Sequence, residues 1–487
     1  MREKESKRRK WTRIVLKTTG VLAVVGFLVW FNLFRTKEAL AAPSLREHFL
    51  YGSIGTEGLE GTPYWIWMVL PTVFPEYLPG PGGYAALGVS WEPGRELPMG
   101  ITKKFIGVDR IGLNCSFCHV SQVRTTPDQA KADLYVAGPS HQFRPQEYQQ
   151  FMFKSANDPR FNADVLMAAI ERVTKLSTRE SLLYRYLLIP ATRKAILTQR
   201  ENFAWQFERG RPLQGPGRVD PFNPVRFIQF HEPDDGSVGN ADIPAIWNQR
   251  AKTKGYLHWD GLSRKLSEVA ISSAIGDGAR EKYLDMPSLA KVESFLMDLP
   301  PPAYPLAIDR ARAERGRALY ATECANCHAE GGDQLGKIVA LEKIGTDPNR
   351  AKSWTQSQVD SWKKLATRYQ QKYDADWNLD SFSKPGGYVN GLLDGIWLRG
   401  PYLHNGSVPS LRALLDKPEA RPKRFYRGYE LLDGEKVGFV SDVPVFKGRK
   451  FFLYDTSLPG NGNGGHDYGT GLDVQDKDAL VEFMKTL

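Results

Sequence analysis

Cysteine is scarce: 487 residues hold only four. A disulfide-stapled scaffold is thereby excluded, since such scaffolds are short and dense in cross-links. Charge of one sign is also scarce once the first residues are set aside. The formal net charge is +10, but residues 1–17 carry eight Lys/Arg against Glu3 and Glu5, which leaves +4 for the other 470 residues. The basic excess is an end effect, so no nucleic-acid partner is expected. No apolar run long enough to span a bilayer follows Phe34, which excludes a polytopic membrane protein. Methionine is missing altogether from residues 329–483, an absence that matters below.

The basic head (1–17, read as a cytoplasmic tail) runs into Thr18–Phe34, seventeen residues without a charge, closed by Arg35 and Lys37. Seventeen helical residues span about 26 Å, so 18–35 is read as a transmembrane signal-anchor. A single pass through a bacterial inner membrane, with the body in the periplasm, is expected. The competing reading is a cleaved signal ending at Ala39-Leu40-Ala41.

All four cysteines fall into one pattern used twice, Cys115-Ser116-Phe117-Cys118-His119 and Cys324-Ala325-Asn326-Cys327-His328. Both read C-x-x-C-H, the c-type haem attachment motif. Two thiols three residues apart reach the two vinyl groups of one porphyrin, and the next residue places an imidazole under the iron. A thioredoxin-like dithiol does not need the His, and half of a zinc site gives no reason for the repeat. Two covalently bound haem c groups are expected, held by Cys115, Cys118, Cys324 and Cys327, with His119 and His328 on the irons.

Leu299-Pro300-Pro301-Pro302-Ala303-Tyr304-Pro305 is the clearest punctuation. It separates an N-terminal haem unit (106–299) from a C-terminal one (306–487), with 300–305 as linker and 43–105 as a loop-rich periplasmic extension. Each unit closes on a short amphipathic helix, and Gly316, Leu319 and Tyr320 share one face of a helix before the second motif. The expected fold is mainly α: two cytochrome c-like haem domains with long loop insertions, plus an N-terminal transmembrane helix.

Beside the two haem motifs stand Tyr51–Gly55 with Pro63-Tyr64-Trp65, Asp242–Asn248, His258-Trp259-Asp260-Gly261, Gly400–Pro409 and Gly464–Thr470. On these segments the chain resembles the di-haem cytochrome c peroxidase superfamily, and most closely its rubber-oxygenase-like branch. The likeness covers about residues 48–487. The resemblance implies an oxidoreductase in which one haem binds dioxygen or hydrogen peroxide and the other relays electrons, with Trp259 between them. It also implies a donor, either a redox partner protein or a quinone-linked one. Ile271–Gly278 matches the branch's distal wall. Where the peroxidases carry a Gln and then an acid, the Gln is missing here and Glu281 is taken as the acid. A calcium ion often bridges the domains of relatives but has no diagnostic loop here. The alternatives are a di-haem peroxidase and a non-enzymatic electron-transfer cytochrome.

The missing methionine restricts the sixth ligand of the second haem. Only His404 and His466 offer an imidazole in that stretch. His466 is favoured, because it follows the flexible Pro459–Gly465 segment and aligns with the branch's second-haem ligand; His404 stays as the alternative. For the first haem the candidates are His141, His231 and His258. His258 is read as structural beside Trp259, and His141 aligns with the loop that carries a removable distal His in the peroxidases.

Overall fold

The structure is a computed structural model. It describes all residues except 1–10, 25, 28–34, 38–41, 59, 60, 209 and 374–378. The longer helices are α1 (Leu45–Tyr51), α2 (Tyr64–Val73), α3 (Pro145–Asn157), α4 (Ala163–Val173), α5 (Ile189–Asn202), α6 (Leu266–Gly276), α7 (Met286–Met297), α8 (Arg310–Glu323), α9 (Gln356–Tyr373) and α10 (Val474–Met484). Strands intervene throughout. Among the described residues they form seven two-stranded sheets, all antiparallel.

The expectation of a mainly α fold is therefore corrected: helix and sheet are mixed. The insertions that read as loops close on themselves as ribbons. β1 (Ile101–Ile106) turns through Gly107, at φ 71°, into β2 (Val108–Leu113). β3 (Val120–Val123) pairs with β4 (Asp133–Val136), and β5 (Ile338–Ala340) with β6 (Gly387–Val389).

The transmembrane helix is corrected as well. Among the described residues no helix is long and apolar enough to cross a membrane. Residues 11–24 are helical and include Arg13 and Lys17, so charge and apolar residues share one helix. The described helical residues without charge, 18–24 with 26 and 27, are fewer than the roughly 20 a span needs. Residues 28–34, and Ala39–Ala41 of the alternative cleavage site, lie outside the described residues. Thr36 then bridges to Ile106. The single-pass inner-membrane placement falls with the helix.

Two hydrophobic cores organise the body. One draws on both halves of the chain, from Phe49 and Leu50 in α1 through Trp247 and Ile271 to Tyr320, Trp397 and Leu480. The other comes from residues 64–196 alone, centred on α2, α3, α4 and α5. The first C-x-x-C turn straddles them: Cys115 packs on the first core, Phe117 and Cys118 on the second. In the C-terminal half α8 and α10 cross at Gly316, where a Cβ would collide with the carbonyl of Ala479. Asp309 caps α8 through Arg312 N, and its own amide donates to Glu482 of α10 at 2.6 Å. The Pro-rich stretch is packed down, with Trp397 Nε1 donating to Pro302 O at 2.8 Å.

Candidate haem sites

β2 delivers Asn114, whose side chain caps a single 3-10 turn by accepting from Ser116 N at 3.0 Å. That turn sets Cys115 and Cys118 as half-buried free thiols. Burial pushes the Cys115 thiol up to about 12 and Cys118 well above its ordinary value. His119 N donates to Cys115 O at 3.1 Å. Its Nδ1 lies 3.0 Å from Pro244 O. A carbonyl only accepts, so Nδ1 carries the proton and Nε2 keeps its lone pair for a metal.

The second motif follows directly from α8. Cys327 N and His328 N both donate to Cys324 O, at 3.1 and 3.0 Å. His328 Nδ1 lies 2.7 Å from Gly391 O, which fixes the same tautomer. Here a second imidazole stands opposite: the rings of His328 and His466 have centroids 6.3 Å apart. Two imidazoles bound across one first-row metal ion, each nitrogen about 2 Å from it, place their ring centres roughly 6 Å apart. Nδ1 of His466 is buried without a partner, and burial pushes this imidazole down to about 4, so the ring is neutral. Among the described residues no group of three or more His, Cys, Asp or Glu could hold a metal ion. Two imidazoles and two thiols therefore fit a cofactor that brings its own in-plane ligands, as haem c does.

His466 is held at φ 51°, a left-handed conformation that a non-glycine residue adopts only when its surroundings enforce it. Arg421, 2% exposed, provides the enforcement. Its guanidinium donates to five carbonyls: Asn463, Gly465 and His466 in the ligand loop, Leu414 and Asp416 behind it. Lysine has three donors and no fork. In the haem-loaded protein, Arg421→Lys is expected to loosen this loop, at about 1.5–3 kcal/mol for each charged hydrogen bond lost. The low-spin fraction of the second haem should fall, and added imidazole should restore it.

Between the sites, Trp259 Nε1 donates to Asp242 O at 2.8 Å, and Val389 N donates to Trp259 O at 2.9 Å. Asp242 lies two residues before Pro244, and Val389 two before Gly391. Trp259 thus ties together the two backbone segments whose carbonyls hold the motif histidines.

The remaining histidines take other places. His404 stacks on Tyr388 at 4.0 Å with Nε2 3.0 Å from its hydroxyl. His141 stacks on Phe439 at 3.5 Å, with neither ring nitrogen bonded. His258 is part-buried with Nε2 unbonded, and His231 is exposed. Burial pushes the His404 and His141 imidazoles down to about 3. Unfolded, each binds a proton near 6.5. Between those values the unfolded state holds more protons, so stability falls as the pH is lowered through that window. The expected slope is about 1.4 kcal/mol per pH unit for each ring. Denaturant midpoints at pH 7 and pH 5 should differ, and less so in His404→Gln and His141→Gln.

The wall beside the first motif is α6, which buries Ile271, Ala274 and Ile275 in the core on which Cys115 packs. The side chain of Glu281 lies outside the described residues. The acid that the sequence reading passed over is Asp277, at the C-cap of α6. It is half-buried, within electrostatic reach of both Cys115 and Cys118, and burial raises it to about 7. An acid at a helix C-terminus, where the dipole opposes its charge, was the available signal.

A family model described as RoxA-like, cytochrome c-like matches residues 387–426, the stretch that holds Gly391, His404 and Arg421. Two proteins of Sinorhizobium fredii are also similar. The uncharacterised protein y4iM is 32% identical over 285 residues, covering 50% of this chain and 64% of that protein. The uncharacterised protein y4iJ is 32% identical over 258 residues, covering 40% and 42%. The chain thus spans less than two thirds of the length of either relative. The match at residues 387–426 supports covalent haem c as the cofactor and points to a haem c oxidoreductase.

Proposed function

We propose that the chain carries two haem c groups, takes up dioxygen or hydrogen peroxide at the first, and stores and relays electrons at the second. The observation that supports this is an asymmetry between two otherwise similar sites. Each C-x-x-C-H turn presents a histidine held through Nδ1 by a carbonyl, but among the described residues only His328 has another imidazole 6.3 Å away. His328 and His466 would both hold the second iron, which would suit that haem to electron transfer. Beside the first motif stands α6 with Ile271, Ala274 and Ile275 buried, the segment that resembles the branch's distal wall.

Haem, when bound, supplies the redox-active iron. The chain's own residues do the rest. The carbonyls of Pro244 and Gly391 hold the imidazole N–H groups of His119 and His328, which orients the rings and makes them stronger donors. Trp259 joins the two carbonyl-bearing segments as the relay. Asp277 can hold or release a proton near neutral pH, and Glu281 is the further acid that the resemblance nominates. Asp277 favours peroxide as a second reading, because cleaving an O–O bond calls for a general acid. A partner protein or a quinone-linked donor supplies the electrons.

The test is the haem-loaded protein itself. Pyridine haemochrome is expected to count two haems per chain. The oxidised protein should show one low-spin and one high-spin iron, and the reduced protein should bind one carbon monoxide. Two low-spin irons that bind no carbon monoxide would instead establish an electron carrier.

A further inference from the structure

We infer that Trp247 is a second bridge for electrons between the two sites, parallel to Trp259; this rests on the two-haem reading above. Trp247 is fully buried. It follows Pro244, the carbonyl partner of His119, by three residues. Its Nε1 donates at 3.1 Å to the carbonyl of Asp394, which follows Gly391, the partner of His328, by three residues. Asn248 adds a second tie, with Nδ2 3.1 Å from Asp394 Oδ2.

The ring itself spans the gap. A Cβ built on Gly138 would lie 3.3 Å from Cζ3 of Trp247, and one on Gly395 would lie 2.6 Å from Cζ2. Gly138 belongs to the first site, because β3 leaves His119 directly, pairs with β4, and β4 runs on into Ala137 and Gly138. Ile246 N also donates to Ala137 O at 2.9 Å. Gly395 belongs to the second site, four residues beyond Gly391. One edge of the indole therefore touches backbone of each site, and any side chain at Gly395 would push it away.

This gives two routes between the same pair of carbonyls. One runs from Pro244 back to Asp242 and through Trp259 to Val389 and Gly391. The other runs from Pro244 on to Trp247 and through its ring and Nε1 to Asp394 and Gly391. Hydrogen bonds and covalent bonds carry a tunnelling electron better than open space. Lys252 Nζ and Arg399 Cζ lie 5.9 and 5.6 Å from the Trp247 ring centre. Cations over an aromatic face oppose removal of an electron from it, so Trp247 conducts without being oxidised itself. One electron leaves one iron, which goes from Fe(II) to Fe(III), and arrives at the other, which goes from Fe(III) to Fe(II). No proton moves and no bond changes.

The experiment uses the haem-loaded protein with Trp247→Phe, Trp259→Phe and both. Haem count, spectra and the two potentials are measured first; one haem in the unmutated protein would overturn the two-haem reading and the bridge with it, whereas the rates below overturn the bridge alone. A laser flash then injects an electron, and equilibration between the haems is followed optically. Each single variant is expected to lose rate. The double variant should lose more than the product of the single losses, because parallel routes cover for each other. Trp247→Tyr, which keeps a ring but lacks the indole N–H, serves if the Phe variant fails to load both haems. The bridge is overturned if the Trp247 variant equals the unmutated protein and the double variant equals Trp259→Phe. It is also overturned if shifted potentials account for the whole loss.

Discussion

His466→Ala is expected to convert the low-spin signal of the second haem to high-spin in the haem-loaded protein, and added imidazole should restore it. The ring stands 6.3 Å from His328 with a buried nitrogen that has no hydrogen-bond partner, so its loss would remove the candidate ligand without breaking a hydrogen bond at that nitrogen, at the cost of the edge-to-face contact with Tyr468 at 5.3 Å. The potential of the second haem should rise, by about 60 mV for each tenfold by which imidazole prefers the ferric over the ferrous iron. The first haem should keep its spectrum, since His119 is held by Pro244. His404→Ala is the matched control. It breaks the stack with Tyr388 and leaves a buried cavity, but the second haem should stay low-spin. Magnetic circular dichroism or EPR of the oxidised variants reads the outcome directly. If the control gives the high-spin signal and His466→Ala does not, the two imidazoles exchange roles.

Replacing Cys324 and Cys327 together by Ala should lower the covalent haem count from two to one and leave the first haem's spectrum in place. Stability should fall by several kcal/mol, a large part of the roughly 5–15 kcal/mol that holds a typical domain. Tyr320 in α8 packs on Phe483 in α10 at 5.1 Å, one turn before Cys324, so the α8–α10 crossing ends where the cofactor begins. Mass spectrometry of the denatured protein counts covalent haem, and a denaturant titration reads the loss. Two covalent haems in the variant would overturn the attachment assignment.

How much of this was legible depended on where the information sits. The attachment turns are written in side chains at fixed spacing, so they could be read directly. Gly316 was readable because a helix crossing needs a residue without a Cβ there. His466 was reachable through an absence, the missing methionine. The partners that orient the imidazoles were not, because Pro244 and Gly391 act through backbone carbonyls, which every residue has. Arg421 gave no signal either: it pairs with five carbonyls rather than with a carboxylate at a recognisable spacing. α2 escaped notice because Tyr64-Trp65-Ile66-Trp67-Met68-Val69-Leu70 is apolar all round and shows no helical period, as expected of a buried helix. The transmembrane helix was misread because Arg13 and Lys17, taken as part of a separate basic tail, lie in the same helix as the uncharged residues that follow.

The position of the first C-x-x-C turn has a consequence for assembly. Its two thiols face different hydrophobic cores, Cys115 the one shared by both halves of the chain and Cys118 the one made by residues 64–196. A porphyrin joined to both becomes a rivet between two bodies that otherwise meet through ordinary packing. The chain it closes is only a few residues long, so it restricts the unfolded state very little. The gain comes from apolar filling at the seam. Before attachment, the two bodies can loosen from each other while each stays folded; afterwards they open together or not at all.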